Sequence, residues 1–197
     1  PLCFGAKLLL ADIENSLELT ANIKKYAVTY IHFSPTQLSN YLNAEGNDLN
    51  AISSLRQIVC SGEELNKEIV NKFYQHLSIP LSNLYGPTEA SIEVTYHDMN
   101  SSYLQKKASR IPIGKPIENV QVYILDNHNQ IVPVGVTGEI VIGGICLAEG
   151  YLNAPERTKE QFIVCSLDAS GKEIKVYKTG DFGKWLEDGS VQYLGRM

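Results

Sequence analysis

The first half of the chain alternates between two hydrophobic patterns. Short apolar runs rich in β-branched and aromatic residues, typical of strands, cover residues 7–11, 28–33, 55–60 and 81–85. Apolar residues at helical spacing cover residues 16–26, 66–77 and a segment that starts with Ser34 as its cap and Pro35 at its first position. This β-α-β-α order predicts an α/β fold with a mainly parallel sheet flanked by helices.

The second half has a different pattern, because strand signals follow one another closely after a polar stretch. These signals cover residues 120–125, 138–142, 172–177 and 191–194. One helix is predicted among them, with Asn153 as its cap and Pro155, Glu156 and Phe162 inside it. We therefore expect a small, mostly antiparallel, β-barrel-like subdomain over residues 106–197, after an α/β subdomain over residues 1–105.

Composition and charge exclude several classes of partner. The chain has 197 residues, of which 44% are hydrophobic and 20% charged, and its net charge is −5. Its basic residues are scattered, whereas a nucleic-acid-binding protein gathers them into a patch. No apolar run approaches the roughly 18 residues of a membrane-spanning helix, and the first ten residues lack the features of a signal peptide. We expect a cytoplasmic protein with neither a nucleic-acid nor a membrane partner.

The cysteines and histidines form no metal-binding pattern. The four cysteines, Cys3, Cys60, Cys146 and Cys165, are far apart, and no CxxC pair occurs. The simplest interpretation is that they are small buried side chains in a reducing compartment. The four histidines are equally scattered. We therefore expect no metal site built from protein ligands alone.

The sharpest chemical signal is Asn-Leu-Tyr-Gly-Pro-Thr-Glu at residues 83–89, directly after a predicted strand. Open α/β sheets bind ligands at the carboxyl ends of their strands. The Gly-Pro turn presents an aromatic ring, a hydroxyl and a carboxylate close together, and a carboxylate is the usual protein ligand for Mg²⁺ carried on phosphates. An ordinary surface turn would explain Tyr-Gly-Pro alone, but the flanking Asn and Thr-Glu favour a function.

Three weaker signals lie in the second half. In Tyr-Lys-Thr-Gly-Asp at residues 177–181, Asp181 has the chemistry to accept both hydroxyls of a ribose, although a β-turn with an Asx cap explains the motif as well. The glycine-rich strand of residues 138–151 favours a structural role. Near the end of the chain, Arg196 follows Tyr193 and has the guanidinium that pairs with ribose or phosphate oxygens.

Together these motifs, in this order, resemble the core of the adenylate-forming superfamily, most closely the adenylation domains of nonribosomal peptide synthetases. The stretches that match successive core motifs are residues 83–89, 138–151, 177–181 and 195–196, with matching sequence between them at 113–116 and 152–162. The resemblance covers essentially the whole chain. Two positions of the glycine-rich strand depart from the family pattern, because Cys146 stands where Gly is usual and Glu149 where Arg is usual.

The resemblance implies a set of roles around ATP and Mg²⁺. Tyr85 stacks on adenine with Gly86 forming the turn beside it, Asn83 approaches the base edge, and Asp181 binds the ribose hydroxyls. Thr88 and Glu89 are the catalytic pair, with Thr88 at the α-phosphate and Glu89 on the metal, while Tyr193 and Arg196 line the nucleotide from the other subdomain. The implied reaction forms an aminoacyl-adenylate, which then passes to phosphopantetheine on a peptidyl carrier domain.

Parts of the family pattern do not occur in this sequence. The phosphate loop with its Lys, the acidic residue that grips the substrate amine, and the C-terminal subdomain with its catalytic Lys are all missing. The chain also opens on Pro1 inside a hydrophobic run. We therefore expect that it was cut from a longer protein, that the missing C-terminal subdomain is one of its partners, and that it is weakly active or inactive by itself.

The resemblance also implies a substrate pocket. The aligned positions are His32, Val59, Ser61, Leu84, Ile92 and Glu93. Core packing explains Val59, Leu84 and Ile92 equally well, whereas burial of the three polar side chains requires hydrogen-bonding partners. A substrate hydroxyl is one such partner, and a site built to bind it rejects analogues that lack it. The set resembles serine-activating domains, although Asp is commoner at the position of Glu93, so we expect serine first and threonine second.

Three other interpretations compete with this one. An acyl- or aryl-CoA synthetase shares the fold and nucleotide motifs, but often lacks the form of residues 83–89 and has a more apolar pocket. A non-catalytic remnant would serve as an interaction module, which the intact Thr88, Glu89 and Asp181 argue against. An unrelated nucleotide-binding domain finds no support, because neither a P-loop nor a GxGxxG motif occurs.

Overall fold

The computed structural model describes residues 5–12, 14–101, 103, 110–167, 171 and 173–196. These residues form two compact units. The first unit holds the described residues up to Leu81, together with 100, 101 and 103. The second holds Ser82–Met99 and the described residues from Arg110 onward. The predicted boundary between residues 105 and 106 lies outside the described residues and stays a prediction.

The first unit alternates helices and strands, as the hydrophobic pattern predicts. In chain order it contains α1 (Ser16–Tyr26), β1 (Tyr30–Phe33), α2 (Pro35–Asn43), a 3₁₀-helix (Leu49–Ile52), β2 (Gln57–Cys60) and α3 (Lys67–His76). Strands β1 and β2 are parallel, and His32 lies opposite Val59. The buried side chains are those of the predicted apolar faces, among them Leu38, Tyr41 and Phe73.

Polar caps explain where these helices begin. The Ser34 side chain accepts a hydrogen bond from the backbone N–H of Gln37, and the Gln37 side chain accepts one from the backbone N–H of Ser34. This capping box satisfies two donors that a helix start leaves free, and Pro35 follows it at the first helical position, as predicted. Asn15 and Asn66 cap α1 and α3 through single hydrogen bonds, which their side-chain oxygens accept from the backbone N–H groups of Glu18 and Ile69.

The second unit is rich in strands. Its elements are β3 (Leu81–Tyr85, beginning on the last residue of the first unit), a 3₁₀-helix (Thr88–Ala90), β4 (Thr95–Met99), β5 (Lys115–Pro116), β6 (Val120–Leu125), β7 (Gly138–Gly144), α4 (Pro155–Gln161), β8 (Phe162–Ser166), β9 (Glu173–Trp185) and β10 (Val191–Arg196). Strands β3, β4 and β5 are successive neighbours, and β4 pairs with β5 antiparallel.

The remaining strands form a second, antiparallel sheet around the long strand β9. One edge of β9 pairs with β7, which pairs in turn with β6. Its other edge pairs with β8 over the first half of β9 and with β10 over the second half. Within the part of the chain that the structure describes, no ladder joins β10 to β6, so the sheet is open and not a closed barrel. Helices and strands alternate in the first part of the chain and an antiparallel sheet follows, as the hydrophobic pattern predicts.

The second unit contains a buried cluster of apolar side chains. Its members are Ala90, Val94, Ile113, Val120, Val122, Ile124, Ile140, Ile142 and Val191. Tyr85 and Tyr193, both half-buried, pack on the cluster. Because close-packed interiors resist displacement, the cluster holds these two rings in place, one at the end of β3 and one in β10.

Some local predictions were wrong. Residues 7–11 form no strand: they are mostly exposed, and no described strand pairs with them, so their apolar pattern has no ladder to join. Asn153 has a φ of 55°, and the cap of α4 is Ala154. Asn tolerates the left-handed region, and Pro155 then fixes the first helical residue. Phe162 lies outside α4, because it is the first residue of β8.

Other elements went unpredicted or differ in length. The pattern did not predict β4, β5 or β8, which are short or only partly apolar. The strand expected over residues 172–177 runs as β9 to Trp185, so the Tyr-Lys-Thr-Gly-Asp motif lies within a strand rather than after one. No helix among the described residues has the length and apolar character needed to cross a bilayer.

Gly114 provides a test of this packing. Its φ is +92°, and a Cβ there would overlap the carbonyl of Tyr96, whereas Gly135, with a φ of +85°, has open space around its Cβ direction. We expect Gly135→Ala to cost about 1–2 kcal/mol of unfolding free energy, from the positive φ alone. Overpacking should add about 1–3 kcal/mol for Gly114→Ala. Urea denaturation of both variants measures the difference, and equal losses would show that residues 96 and 114 are not so closely packed.

Candidate nucleotide site

The candidate site begins where β3 ends. Tyr85 is the last residue of β3, and the chain turns through Gly86 and Pro87 into the 3₁₀-helix that carries Thr88 and Glu89. A Cβ at Gly86 would overlap the carbonyl of Ile92, so the turn requires glycine. Tyr85 and Glu89 are half-buried and Thr88 is exposed. The segment therefore presents a ring, a hydroxyl and a carboxylate within a few residues, as the sequence predicts.

Asn83 faces inward in the same strand. Only 2% of it is exposed, and its Nδ2 donates a hydrogen bond to the carbonyl of Pro112 at 2.9 Å. One donor of the amide therefore fixes the neighbouring backbone. The predicted approach of Asn83 to the edge of a base stays a prediction.

Asp181 lies beside Tyr85, although 96 residues separate them in the sequence. The Tyr85 hydroxyl donates a hydrogen bond to Asp181 Oδ2 at 2.7 Å. Arg196, paired with Asp181 across β9 and β10, has its Nε 3.9 Å from Asp181 Oδ1. The Tyr193 ring lies 6.2 Å from the Tyr85 ring, centroid to centroid. The structure thus brings together Tyr85, Asp181, Tyr193 and Arg196, four of the residues predicted around a nucleotide.

The environment of Tyr85 keeps it neutral. Burial raises the pKa of the Tyr85 hydroxyl, and the nearby negative charge of Asp181 raises it further. The hydroxyl therefore stays a donor to the Asp181 side chain, of which 14% is exposed. An acceptor of this kind matches the hydroxyl groups of a sugar.

Glu89 is held by a second tyrosine. The Tyr151 hydroxyl donates a hydrogen bond to Glu89 Oε1 at 2.6 Å, and the Ala148 N–H donates to the Glu89 carbonyl at 2.8 Å. Burial raises the pKa of the Glu89 carboxyl, but the Tyr151 hydrogen bond, together with a backbone hydrogen bond, Tyr177 and the charge of Arg157, outweighs burial, so the pKa is lowered overall. The carboxylate is therefore ionised at neutral pH, which binding a hard cation requires.

Tyr151 is itself fixed by its surroundings. The Arg157 guanidinium lies over its ring, 4.2 Å from the centroid, and the Phe162 ring meets it edge-on at 5.8 Å. The Thr158 hydroxyl accepts a hydrogen bond from the Tyr151 N–H at 2.9 Å. No motif of the sequence pointed to Tyr151 or Arg157 as functional residues. The only available signal was their position in the family stretches of residues 138–151 and 152–162.

The two departures from the family pattern lie in the loop before Tyr151. The Cys146 carbonyl accepts a hydrogen bond from Ser91 Oγ at 2.8 Å. Glu149 is exposed, and the Lys175 ammonium bonds the carbonyls of Ala148 and Glu149 at 3.0 and 3.1 Å. The side chains of the two residues also take part, because Cys146 packs on the buried apolar cluster and Glu149 Oε2 lies 3.9 Å from the Lys175 ammonium.

The described cysteines are all free thiols. Cys60 is fully buried, and burial raises its pKa to about 12, in agreement with an inert core side chain. Cys146 and Cys165 are half-buried, and Cys3 lies outside the described residues. Across the described ranges, no group of three His, Cys, Asp or Glu side chains has the arrangement of a metal site.

The predicted substrate-pocket residues fall in both units. In the first unit, His32 Nε2 lies 2.7 Å from Ser61 Oγ, and Val59 is beside His32 in the β1–β2 register. In the second unit, Leu84 and Glu93 are half-buried, and Ile92 is 62% exposed with a φ of 77°.

His32 is exposed, and Ser61 is only half-buried. The burial argument for a hydroxyl-bearing substrate therefore has no support among the described residues, and only the His32–Ser61 contact remains. The assignment of all six residues to a pocket stays a prediction.

Comparisons with known proteins place these features in a family. The model of the AMP-binding enzyme family matches residues 1–152. Vanchrobactin synthetase VabF of Vibrio anguillarum is 38% identical over all of this chain, which covers 7% of that protein. Enterobactin synthase component F of Escherichia coli is 37% identical, again over the whole chain and 15% of that protein. The chain thus spans a small part of these relatives.

Solved structures give the same result. PA1221, described as an NRPS protein containing adenylation and PCP domains, superposes with a TM-score of 0.80 at 29% identity, over 96% of this chain and 37% of that one. The nonribosomal peptide synthetase FmoA3 also gives 0.80, at 30% identity, over 96% of this chain and 20% of that one. The chain belongs to the AMP-binding enzyme family. The resemblance to the adenylation domains of nonribosomal peptide synthetases is confirmed.

The Tyr151–Glu89 hydrogen bond leads to a prediction about pH. The folded-state pKa of Glu89 lies below its unfolded value, so its ionised form stabilises the fold above the unfolded pKa, and that stabilisation is lost as pH falls through the folded pKa. Tyr151→Phe removes a hydrogen bond that lowers this pKa. We expect the Glu89 pKa to rise and the loss of stability on acidification to become smaller.

An NMR titration of the Glu89 carboxyl carbon and urea denaturation at a series of acidic pH values measure both effects. Tyr96→Phe, at an exposed tyrosine of β4, is the control and should leave both curves unchanged. A Glu89 titration curve that is the same in Tyr151→Phe as in the wild type would contradict the hydrogen bond.

Proposed function

We propose that the protein activates an amino acid with ATP, forming an aminoacyl-adenylate, and passes the acyl group to the phosphopantetheine thiol of a peptidyl carrier domain. The observation that carries the proposal is the hydrogen bond between Tyr85 and Asp181. Tyr85 lies in the same segment as Thr88 and Glu89. The hydrogen bond therefore brings a ring suited to a base, an acceptor suited to ribose and a carboxylate suited to a metal into one region. We expect the protein to work in the cytoplasm.

The proposed roles follow from the chemistry of each group. Tyr85 and Tyr193 offer ring faces to adenine, with Asn83 and Gly86 shaping the strand end. Asp181 accepts the ribose hydroxyls, and Arg196 neutralises negative charge from the edge of the sheet. Thr88 is exposed and free to donate to a phosphate oxygen. Positioning and charge neutralisation of this kind supply most of the catalysis in phosphoryl-type displacement.

Glu89 fits a role as ligand of Mg²⁺. Its carboxylate is ionised and partly exposed, and the Tyr151 hydroxyl orients it through a hydrogen bond to Oε1. When bound, Mg²⁺ neutralises charge on the phosphates. The reaction itself forms a bond between the substrate carboxylate oxygen and the α-phosphorus and breaks the bond to pyrophosphate, which leaves with the electron pair.

For the substrate, we propose serine, with threonine second. The support is the contact between His32 and Ser61, two polar side chains on adjacent strand ends. A hydroxyl-bearing side chain matches such donors and acceptors. For the partner, the pairing of adenylation and PCP domains in PA1221 supports a carrier domain.

A member of the same superfamily that makes acyl- or aryl-CoA is the alternative. It would share the Tyr85–Asp181 arrangement but would transfer its product to free coenzyme A. The polar His32–Ser61 pair favours the amino-acid substrate over an aryl or acyl chain.

The role of Glu89 is tested by Glu89→Gln in the full-length protein. Loss of the charged ligand should lower ATP–pyrophosphate exchange by about 10²-fold, by analogy with the removal of one preorganised electrostatic group. The thermal transition should stay near that of the wild type, since Tyr151 can still donate to the amide oxygen. The matched control is Glu156→Gln, at an exposed glutamate of α4. A wild-type rate of exchange in Glu89→Gln would show that Glu89 is not part of the site.

The substrate is tested by exchange with a panel of amino acids. We expect serine to give the highest rate, and alanine, which lacks the hydroxyl, to fall by at least about tenfold, the scale of one unpaired polar group. Exchange with another amino acid and none with serine would show that the substrate assignment is wrong. Activity only with an aryl or fatty acid and coenzyme A would favour the alternative enzyme.

A further inference from the structure

The segment that carries Asp181 interrupts an otherwise regular ladder. Opposite β7, Glu139 pairs with Phe182 and Val141 pairs with Lys178, so the single residue between them on β7 faces three residues, 179–181, on β9. On the other edge of β9, the β8 ladder ends at Tyr177 and the β10 ladder reaches only to Asp181. Bulges of this kind re-aim side chains and occur often beside active sites.

Side chains replace the ladder bonds that the bulge removes. The Gly180 N–H donates to Glu139 Oε1 at 3.0 Å. The Thr179 hydroxyl donates to the Ile140 carbonyl at 2.6 Å and accepts from the Asp181 N–H at 3.0 Å. Gly180 has a φ of +73°, which glycine adopts without strain. The bulge is therefore a fixed structure with its hydrogen bonds supplied from β7 and from Thr179.

Glu139 is held on both of its oxygens. Oε1 accepts from Gly180, and Oε2 lies 3.3 Å from the Lys178 ammonium. Only 13% of the Glu139 side chain is exposed. With both oxygens engaged and little contact with solvent, the carboxylate has one orientation relative to the bulge.

We propose that Glu139 is a positioning residue, which pins the bulge through Gly180 so that Asp181 presents its carboxylate to the ribose of the nucleotide. This inference rests on the proposed function, because it takes Asp181 as the ribose acceptor. Glu139 touches no substrate itself. It acts through one residue of backbone, since Gly180 directly precedes Asp181.

The readout is the preference for ATP over 2′-deoxy-ATP, taken as the ratio of the two kcat/KM values in pyrophosphate exchange by the full-length protein. An acceptor that bonds the 2′-hydroxyl creates this preference, and Asp181→Asn should lower it. Substitution of a residue that only stabilises the fold would change the melting temperature or the amount of active enzyme. The amount of active enzyme affects both kcat/KM values equally, so their ratio would stay the same. A residue that aims Asp181 would change the ratio itself.

Three substitutions separate the hydrogen bond from the charge. Glu139→Ala removes both. Glu139→Asp keeps the charge near Lys178, but its shorter side chain withdraws the acceptor from Gly180. Glu139→Gln keeps an acceptor oxygen of the same reach and removes the charge. We expect Glu139→Ala and Glu139→Asp to lower the ratio about fivefold, the scale of one hydrogen bond. We expect Glu139→Gln to leave the ratio at its wild-type value.

The matched control is Glu156→Ala, which breaks an ion pair of the same 3.3 Å length between exposed side chains of α4. It should leave the ratio unchanged. If Glu139→Ala does not fold, Glu139→Asp decides the question alone. The proposal is overturned if folded Glu139→Asp has the wild-type ratio, or if the ratio falls in Glu139→Gln but not in Glu139→Asp.

Failure of the proposed function would look different. If the wild-type protein exchanges pyrophosphate with no amino acid, or if Asp181→Asn leaves the ratio unchanged, the nucleotide role of Asp181 is wrong and the Glu139 inference falls with it. If Asp181→Asn lowers the ratio and the Glu139 variants do not, only the positioning role is wrong.

Discussion

The hydrogen bond from the Tyr85 hydroxyl to Asp181 is the interaction on which the site depends. It joins the end of β3 to the bulge in β9, two segments far apart in the sequence. Each side of the bond has its own support. Tyr85 packs on the buried apolar cluster, and Asp181 is carried by a bulge whose backbone is bonded to β7 and Thr179. Rigid supports of this kind keep reactive groups in place without the ligand.

A second set of contacts places Glu89 near the same strand end. Tyr151 reaches Glu89 from the glycine-rich loop, and Arg157 and Phe162 hold the Tyr151 ring. The glycine-rich stretch makes contacts from both of its ends: Glu139 at the start of β7 accepts a hydrogen bond from the Gly180 N–H, and Tyr151 after β7 donates one to Glu89. The sequence pattern favoured a structural role for this stretch, and these contacts show which neighbours it holds.

Much of the first unit was predictable because local rules determine it. Ser34 and Pro35 mark the start of α2, and the apolar spacing of α1 and α3 is regular. Motifs of distinctive composition also singled out the four residues that the structure brings together, Tyr85, Asp181, Tyr193 and Arg196. Glu139 and Tyr151 were not singled out, because they act through side-chain contacts across long sequence separations, which no periodicity reports. The bulge was not predicted for the same reason, since only the pairing of β7 with β9 shows that residues 179–181 interrupt the β7–β9 ladder. For residues 7–11 the pattern predicted a strand that the structure does not contain. An apolar run forms a strand only where a neighbouring strand pairs with it.

The most direct measurement is a crystal structure of the full-length protein with AMP bound. The account predicts that the ribose hydroxyls lie within hydrogen-bonding distance of the Asp181 carboxylate, that the adenine lies against the Tyr85 ring, and that the phosphate is nearest to Thr88. AMP bound at a distance from both Tyr85 and Asp181, or with its phosphate rather than its ribose toward Asp181, would contradict the account.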